Sequence, residues 1–269
     1  KTKFIPKDIN DFHSLYEDDP WNHFIYSEIL QKHTSINCVE KKVDIDDYSN
    51  IKRMGGDNSN SKRALHGLRK SLCLLTGLLA KDSDAVFLST NLGWKDELKL
   101  YILLLQVPQF WDAPLPHKNA VDLDKRDWRL DSDTNSDFEI FVFNIIPKQI
   151  PTLYLEGYKL LVKQTEKLPW PKKPKLIFTF HMTNEVFKTW VAEKVELGSP
   201  LVIGQHGGGP VHRFNGRWQN DFEICDMYLT TGNGNQSVCS KMRDVGQIYN
   251  IGQSNNYDPQ GILTLIEVT

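Results

Sequence analysis

The segment PLVIGQHGGG, residues 200–209, holds the residue types best suited to chemistry. Gln205 and His206 follow a short apolar run and precede Gly207, Gly208 and Gly209. Imidazole ordinarily titrates near neutral pH, and a carboxamide both donates and accepts hydrogen bonds. Consecutive glycines supply no packing and cost chain entropy, so they suit a backbone that turns sharply or lets another group come close. A plainer reading is a tight strand-to-helix connection with a solvated histidine. His181 ends a second apolar run, LIFTF, at the same relative place as His206. If the two runs are adjacent parallel strands, both imidazoles line the sheet edge where open α/β sheets bind ligands. The alternative for His181 is that it only caps the next helix.

Two carboxylates come next. Glu156 sits in the mostly apolar stretch IPTLYLEGYKLL. It reads either as a solvent-facing helix residue or as a partly buried acid with a raised pKa. Asp226, with Asp221 and Glu223 before it, directly precedes the apolar run at 228–230. On its own it reads as a solvated aspartate at a bend. Gly232-Asn233-Gly234-Asn235 forms a turn after that run but lacks both nucleotide-binding glycine spacings. No G-x-S-x-G elbow and no H-E-x-x-H occurs, and His206 with His212 makes two metal ligands without a third.

These residues need elements to position them. Apolar runs at 85–88, 176–180, 201–203, 228–230 and 248–251 predict buried strands. Residues 11–33, 63–79, 91–106 and 184–196 predict helices, the last capped by Thr183 or Asn184 and stopped by Gly198. A further helix runs from a cap at Ser136 or Asp137 to residue 145, and another spans 151–168 with Pro at its first turn. Residues 44–61 and 113–135 read as loops. The strand–helix alternation predicts an α/β fold, a Rossmann-like parallel sheet with flanking helices. Residues 261–269 read as one more strand, which needs a crossover and a partner and so opens a second domain.

The 269 residues are 40% hydrophobic and 25% charged, ordinary globular composition with length for one large domain or two smaller ones. A net charge of −2 offers no basic field for nucleic acid. No apolar run approaches the roughly 18–20 residues of a membrane span, and residues 1–12 lack a signal-peptide core. Cys38, Cys73, Cys225 and Cys239 form neither a C-x-x-C pair nor a metal spacing, which fits reduced thiols in the cytoplasm.

The blocks SDFEIFVFNIIPKQIPTLYLEGYKLL, LPWPKKPKLIFTFHMTNEVFKTWVAEKVELGSPLVIGQHGGG and FEICDMYLTTG lie in order between residues 136 and 252. Together they resemble the sugar transferases of bacterial surface-carbohydrate synthesis first recognised in spirochaetes. More loosely, they resemble bacterial β-Kdo glycosyltransferases. The chain departs from the family pattern at Pro210-Val211, where Tyr-Gly is usual, and at Thr231, where Trp is usual. The resemblance implies a GT-B architecture. Residues 1–253 would form the N-terminal acceptor-side domain, and 254–269 the start of a donor-nucleotide domain. It implies transfer of Kdo from CMP-β-Kdo to a glycan or lipid-linked glycan of O-antigen or capsule, with retention. Neither a metal nor a cofactor beyond the donor is implied. Asp226 would be the nucleophile, Glu156 the acid/base, and His206 would orient or stabilise charge. Gln205, Gly207, Gly208 and His181 would contact substrate. The protein is then expected in the cytoplasm, peripherally associated with the assembly machinery of the inner membrane. Two other classes fit the same residues: another nucleotide-sugar enzyme such as an epimerase, or a non-catalytic glycan-binding module.

Overall fold

A computed structural model describes residues 4–17, 19–33, 37, 39, 75–90, 92–109, 111–130, 136–206, 219–231 and 240–246. Among these, an amino-terminal helical pair, α1 (Ile9–Tyr16) and α2 (Asp19–His33), precedes β1 (Val86–Leu88) and α3 (Trp94–Leu103). A short 3₁₀ turn (Leu123–Arg126), α4 (Asp137–Gln149) and α5 (Tyr158–Glu166) lead to β2 (Ile177–Thr179). Then come α6 (Glu185–Glu196), β3 (Leu201–Gly204), α7 (Gln219–Ile224), β4 (Met227–Thr230) and β5 (Met242–Asp244).

The five strands form one parallel sheet in the order β1-β2-β3-β4-β5. The runs at 176–180, 201–203 and 228–230 therefore sit side by side, as their uninterrupted apolar character predicts. The strand order never reverses, so the described strands contain no topological switch point. Alternate residues face opposite sides. Val86, Ile177, Leu201, Ile203, Tyr228 and Met242 share one side and are buried. There α6 covers them with Phe187, Trp190 and Val191. Trp170 packs edge-on against Trp190 and Phe187, with ring centroids 5.0 and 5.9 Å away. Each such fully buried aromatic contributes roughly 1.5–3 kcal/mol through removal of apolar surface from water. On the other side, Phe87, Phe178 and Phe180 pack with Tyr101 of α3.

The chain passes from one side to the other around the outer flank of β1. Gln106 marks the passage: its carboxamide accepts from Ala85 N and donates to Ala85 O, each at 2.9 Å. A side-chain amide thus pairs with a strand end as a neighbouring strand would, which blunts an exposed edge.

Several sequence expectations change in detail. The helix predicted over 11–33 is two helices, because Pro20 has no N–H to continue the ladder; Asn22 Nδ2 donates to Tyr16 O instead, at 3.0 Å. The helix predicted over 151–168 begins only at Tyr158. Residues 152–157 form a turn closed by Gly157 N donating to Thr152 O at 2.8 Å. Thr152 N and Leu153 N donate to Pro6 O and Lys7 O, both at 2.9 Å, so the amino-terminal segment takes bonds that a longer helix would need. The helix capped by Ser136 continues past residue 145 to Gln149. The short β5 has no counterpart among the predicted strands: two of its three residues are charged, and only Met242 is buried. The predicted strands at 248–251 and 261–269, the loop at 44–61 and most of the helix at 63–79 lie outside the described residues. No described helix is long and apolar enough to cross a membrane.

Candidate functional site

The carboxyl ends of β2 and β3 bring two imidazoles together. His181 and His206 have ring centroids 4.5 Å apart, with planes inclined by 41°. Both are half-buried. Burial first, and the neighbouring His181 second, hold His206 below the ordinary imidazole pKa. His206 is therefore neutral at pH 7, the state able to accept a proton.

The backbone beneath the pair is fixed by short-range bonds. The Thr179 hydroxyl donates to His181 O at 3.0 Å. Gln205 is buried, its N–H donating to Leu229 O at 2.8 Å and its Oε1 accepting from Thr231 N at 3.1 Å. Gln205 thus clips the end of β3 to the end of β4 and positions its neighbour His206. Gly204 is required by close approach: a Cβ there would come within 2.5 Å of the Phe180 ring, itself fully buried. The first turn of α6 also faces this end, with Asn184 capping Phe187 N at 3.0 Å and reaching Ala113 O and Pro114 O. Gly207 and Gly208 lie outside the described residues, as does His212.

Asp226 stands elsewhere. Its N–H donates to Leu201 O and its Oδ2 accepts from Leu201 N, both at 2.8 Å. Leu201 opens β3, so Asp226 marks the amino edge of the sheet. The carboxyl edge is a strand-length away, about 13 Å for four residues at about 3.3 Å each. The roles implied for Glu156, His206 and Asp226 would require the three to converge; Asp226 does not join His206, because a residue just before a parallel strand falls at the opposite edge from one just after it. Nearby, burial pushes the Asp221 carboxyl above the usual range.

Glu156 is neither on a helix face nor solvated. It occupies the 152–157 turn and forms a two-pronged ion pair with Arg126, Oε1 to Nε at 2.6 Å and Oε2 to Nη2 at 2.7 Å. The two side chains are 4% and 2% exposed, so the pair is buried. Asp122 N adds a bond to Oε1 at 3.0 Å, while Arg126 Nη1 donates to Pro147 O and Ile150 O at the carboxyl end of α4. Burial alone would raise the Glu156 pKa, but the Arg126 and backbone donors outweigh it and hold the carboxyl below its ordinary value. An acid held ionised in this way is poorly suited to protonating a leaving group. In the same turn, burial and then the Glu185 carboxylate push the Tyr154 hydroxyl well above its ordinary pKa. Tyr154 thereby ties this turn to the first turn of α6.

Sequence reasoning placed Arg126 in a charged loop and gave it no role. The signal was indirect: a carboxylate embedded in an apolar stretch, once buried, requires a cation. It also missed Thr90, buried just past β1, whose hydroxyl donates to Glu97 of α3. Next to the ion pair, the 3₁₀ turn, α2 and α4 enclose a cleft of about 340 Å³. Among the described residues, no three His, Cys, Asp or Glu side chains gather as a metal-ligand set.

The model of the LIC12162 family transferases matches residues 1–265. The chain belongs to that family and is a transferase by its family description. No curated protein and no solved structure matches it.

Proposed function

We propose that this transferase moves a glycosyl group from a nucleotide sugar to a glycan hydroxyl at the carboxyl edge of the sheet. The observation that carries the reading is the His181–His206 pair: a neutral, half-buried imidazole past a parallel strand, backed by a second one. In this mechanism His206 takes the acceptor hydroxyl proton as that oxygen attacks the anomeric carbon. The bond from the anomeric carbon to the phosphate oxygen breaks, and its electron pair leaves with the nucleotide. His181 lies beside the reacting imidazole and contacts the substrate.

CMP-β-Kdo as donor and an O-antigen or capsule glycan as acceptor rest on the resemblance to β-Kdo glycosyltransferases. So do a GT-B arrangement, with residues 1–253 on the acceptor side and 254–269 opening the donor domain, and a site of action at the inner face of the inner membrane. With that donor, retention proceeds by a front-face route, in which attack and departure occur on one face of the sugar. A double displacement needs a carboxylate nucleophile beside the imidazoles. Of the two carboxylates the resemblance implies, Asp226 is engaged with Leu201 at the other edge and Glu156 with Arg126, so among the described residues neither is placed as that nucleophile.

Incubation of the protein with nucleotide sugars, with and without glycan acceptors, tests the reading through nucleotide release. Acceptor-dependent release from CMP-β-Kdo is the expected result. Turnover of the donor sugar without acceptor would make the protein an epimerase-type enzyme. Sugar affinity with no donor consumption would make it a glycan-binding module.

A further inference from the structure

We propose that the cleft enclosed by the 3₁₀ turn, α2 and α4 is a binding site for a neutral saccharide, separate from the imidazole pair. Its volume of about 340 Å³ lies within the roughly 300–1,000 Å³ of small-molecule sites. Arg126 contributes to the wall but is neutralised by Glu156. The remaining charges are Arg129 and Lys148 against Glu28 and Asp127, two cations and two anions. That balance gives no reason to select an anion, and it supplies donors and acceptors together, which is what polyol hydroxyls require.

The wall also carries aromatic surface. Trp128 is 37% exposed, and its indole Nε1 donates to Lys125 O at 3.0 Å. That bond fixes the ring by its polar edge, so its contribution to a ligand is an apolar face of the kind that covers sugar C–H groups. Asn144 spends one amide hydrogen on Ile140 O, at 2.8 Å, and carries further donor and acceptor capacity at the cleft. The floor is rigid: Arg126 joins the turns at 122–126 and 147–150 to Glu156 through five hydrogen bonds on the two side chains. A preformed floor lowers the ordering cost of binding.

Only the assignment of this saccharide as a distal part of the acceptor rests on the transferase reading; binding itself does not. Saturation-transfer NMR of the protein with cellotetraose, chitotetraose, inorganic phosphate and a heparin tetrasaccharide tests it. At least one neutral tetrasaccharide is expected to bind. Trp128→Ala should weaken that binding about tenfold, the scale of one lost aromatic contact, while Trp128→Phe retains most of it. Asn144→Ala should weaken it severalfold, and His206→Ala should leave it unchanged. Thermal midpoints of the variants identify any that fail to fold, and Asn144→Ala serves if Trp128→Ala does. Absence of binding by both neutral tetrasaccharides would overturn the proposal. Displacement of the sugar by phosphate or heparin would overturn it too, by making the cleft an anion site. So would binding that survives Trp128→Ala but fails with His206→Ala. A protein that binds the sugar but transfers nothing would refute the transferase reading alone.

Discussion

The Arg126–Glu156 pair and the His181–His206 pair are both buried or half-buried groups of titratable type, yet they are built in opposite ways. In the first, opposite charges meet in a two-pronged bond, and Nη1 of the fork donates to two backbone carbonyls. In the second, two imidazole rings sit 4.5 Å apart, and burial first, the neighbouring His181 second, make protonation of His206 less favourable. A satisfied pair joins segments. A half-buried base whose surroundings disfavour its charged form suits proton exchange with a group that arrives. The difference separates architecture from chemistry more sharply than residue type does, since glutamate and histidine are both common catalytic groups.

Breaking the satisfied pair should have the largest effect on stability. Glu156→Gln keeps the size but leaves the Arg126 cation buried without its counter-charge. Loss of one partner of a buried pair costs about 3–5 kcal/mol, and urea unfolding should report it. An unchanged unfolding midpoint would mean that the pair does not join these segments.

The support under the imidazoles can be tested next. Gly204→Ala would drive a methyl into the Phe180 ring, which is buried and cannot swing away. Overpacking of this kind costs about 1–3 kcal/mol, and Phe180→Leu in the same chain should recover part of it. Additive losses in the double variant would show that the two residues do not meet.

Asp226 should behave as a strand-edge acceptor. Asp226→Ala removes one hydrogen bond to Leu201 N and should cost about 0.5–1.5 kcal/mol in denaturant unfolding. Asp226→Asn retains an acceptor oxygen and should cost less. A loss of several kcal/mol from Asp226→Asn would show that the negative charge itself holds the sheet edge.

The smallest effect is on pH dependence. Because the folded pKa of His206 is depressed, the unfolded chain binds more protons than the folded one between the folded pKa and 6.5. The stability contribution is full above pH 6.5 and is lost as pH falls through that window. His206→Gln should flatten this part of the pH–stability curve. A curve that keeps its slope in the variant would place the titration on another group.

Much of the sheet was legible in the sequence because parallel strands are buried on both faces and read as unbroken apolar runs: AVFL, LIFTF, LVI and YLT. β5 was not legible, since Met242-Arg243-Asp244 buries one side chain and looks like loop. The edge position of His181 and His206 followed from strand direction alone. The environment of Glu156 did not, because its partner is 30 residues away in a segment whose local signal is only charge. Helix periodicity also misled at residues 151–157: their apolar character serves a turn held by Pro6 and Lys7 carbonyls, a long-range contact that local pattern does not encode.

The most direct test of the account compares nucleotide release by three forms of the protein, wild type, His206→Ala and Asp226→Asn, at pH 7 with CMP-β-Kdo and a glycan acceptor. The account predicts that His206→Ala falls by at least about a hundredfold, the scale of a lost proton-transfer group, while Asp226→Asn stays within about threefold of wild type, a shift below 1 kcal/mol. Near-normal release by His206→Ala, with a hundredfold loss in a folded Asp226→Asn, would contradict it.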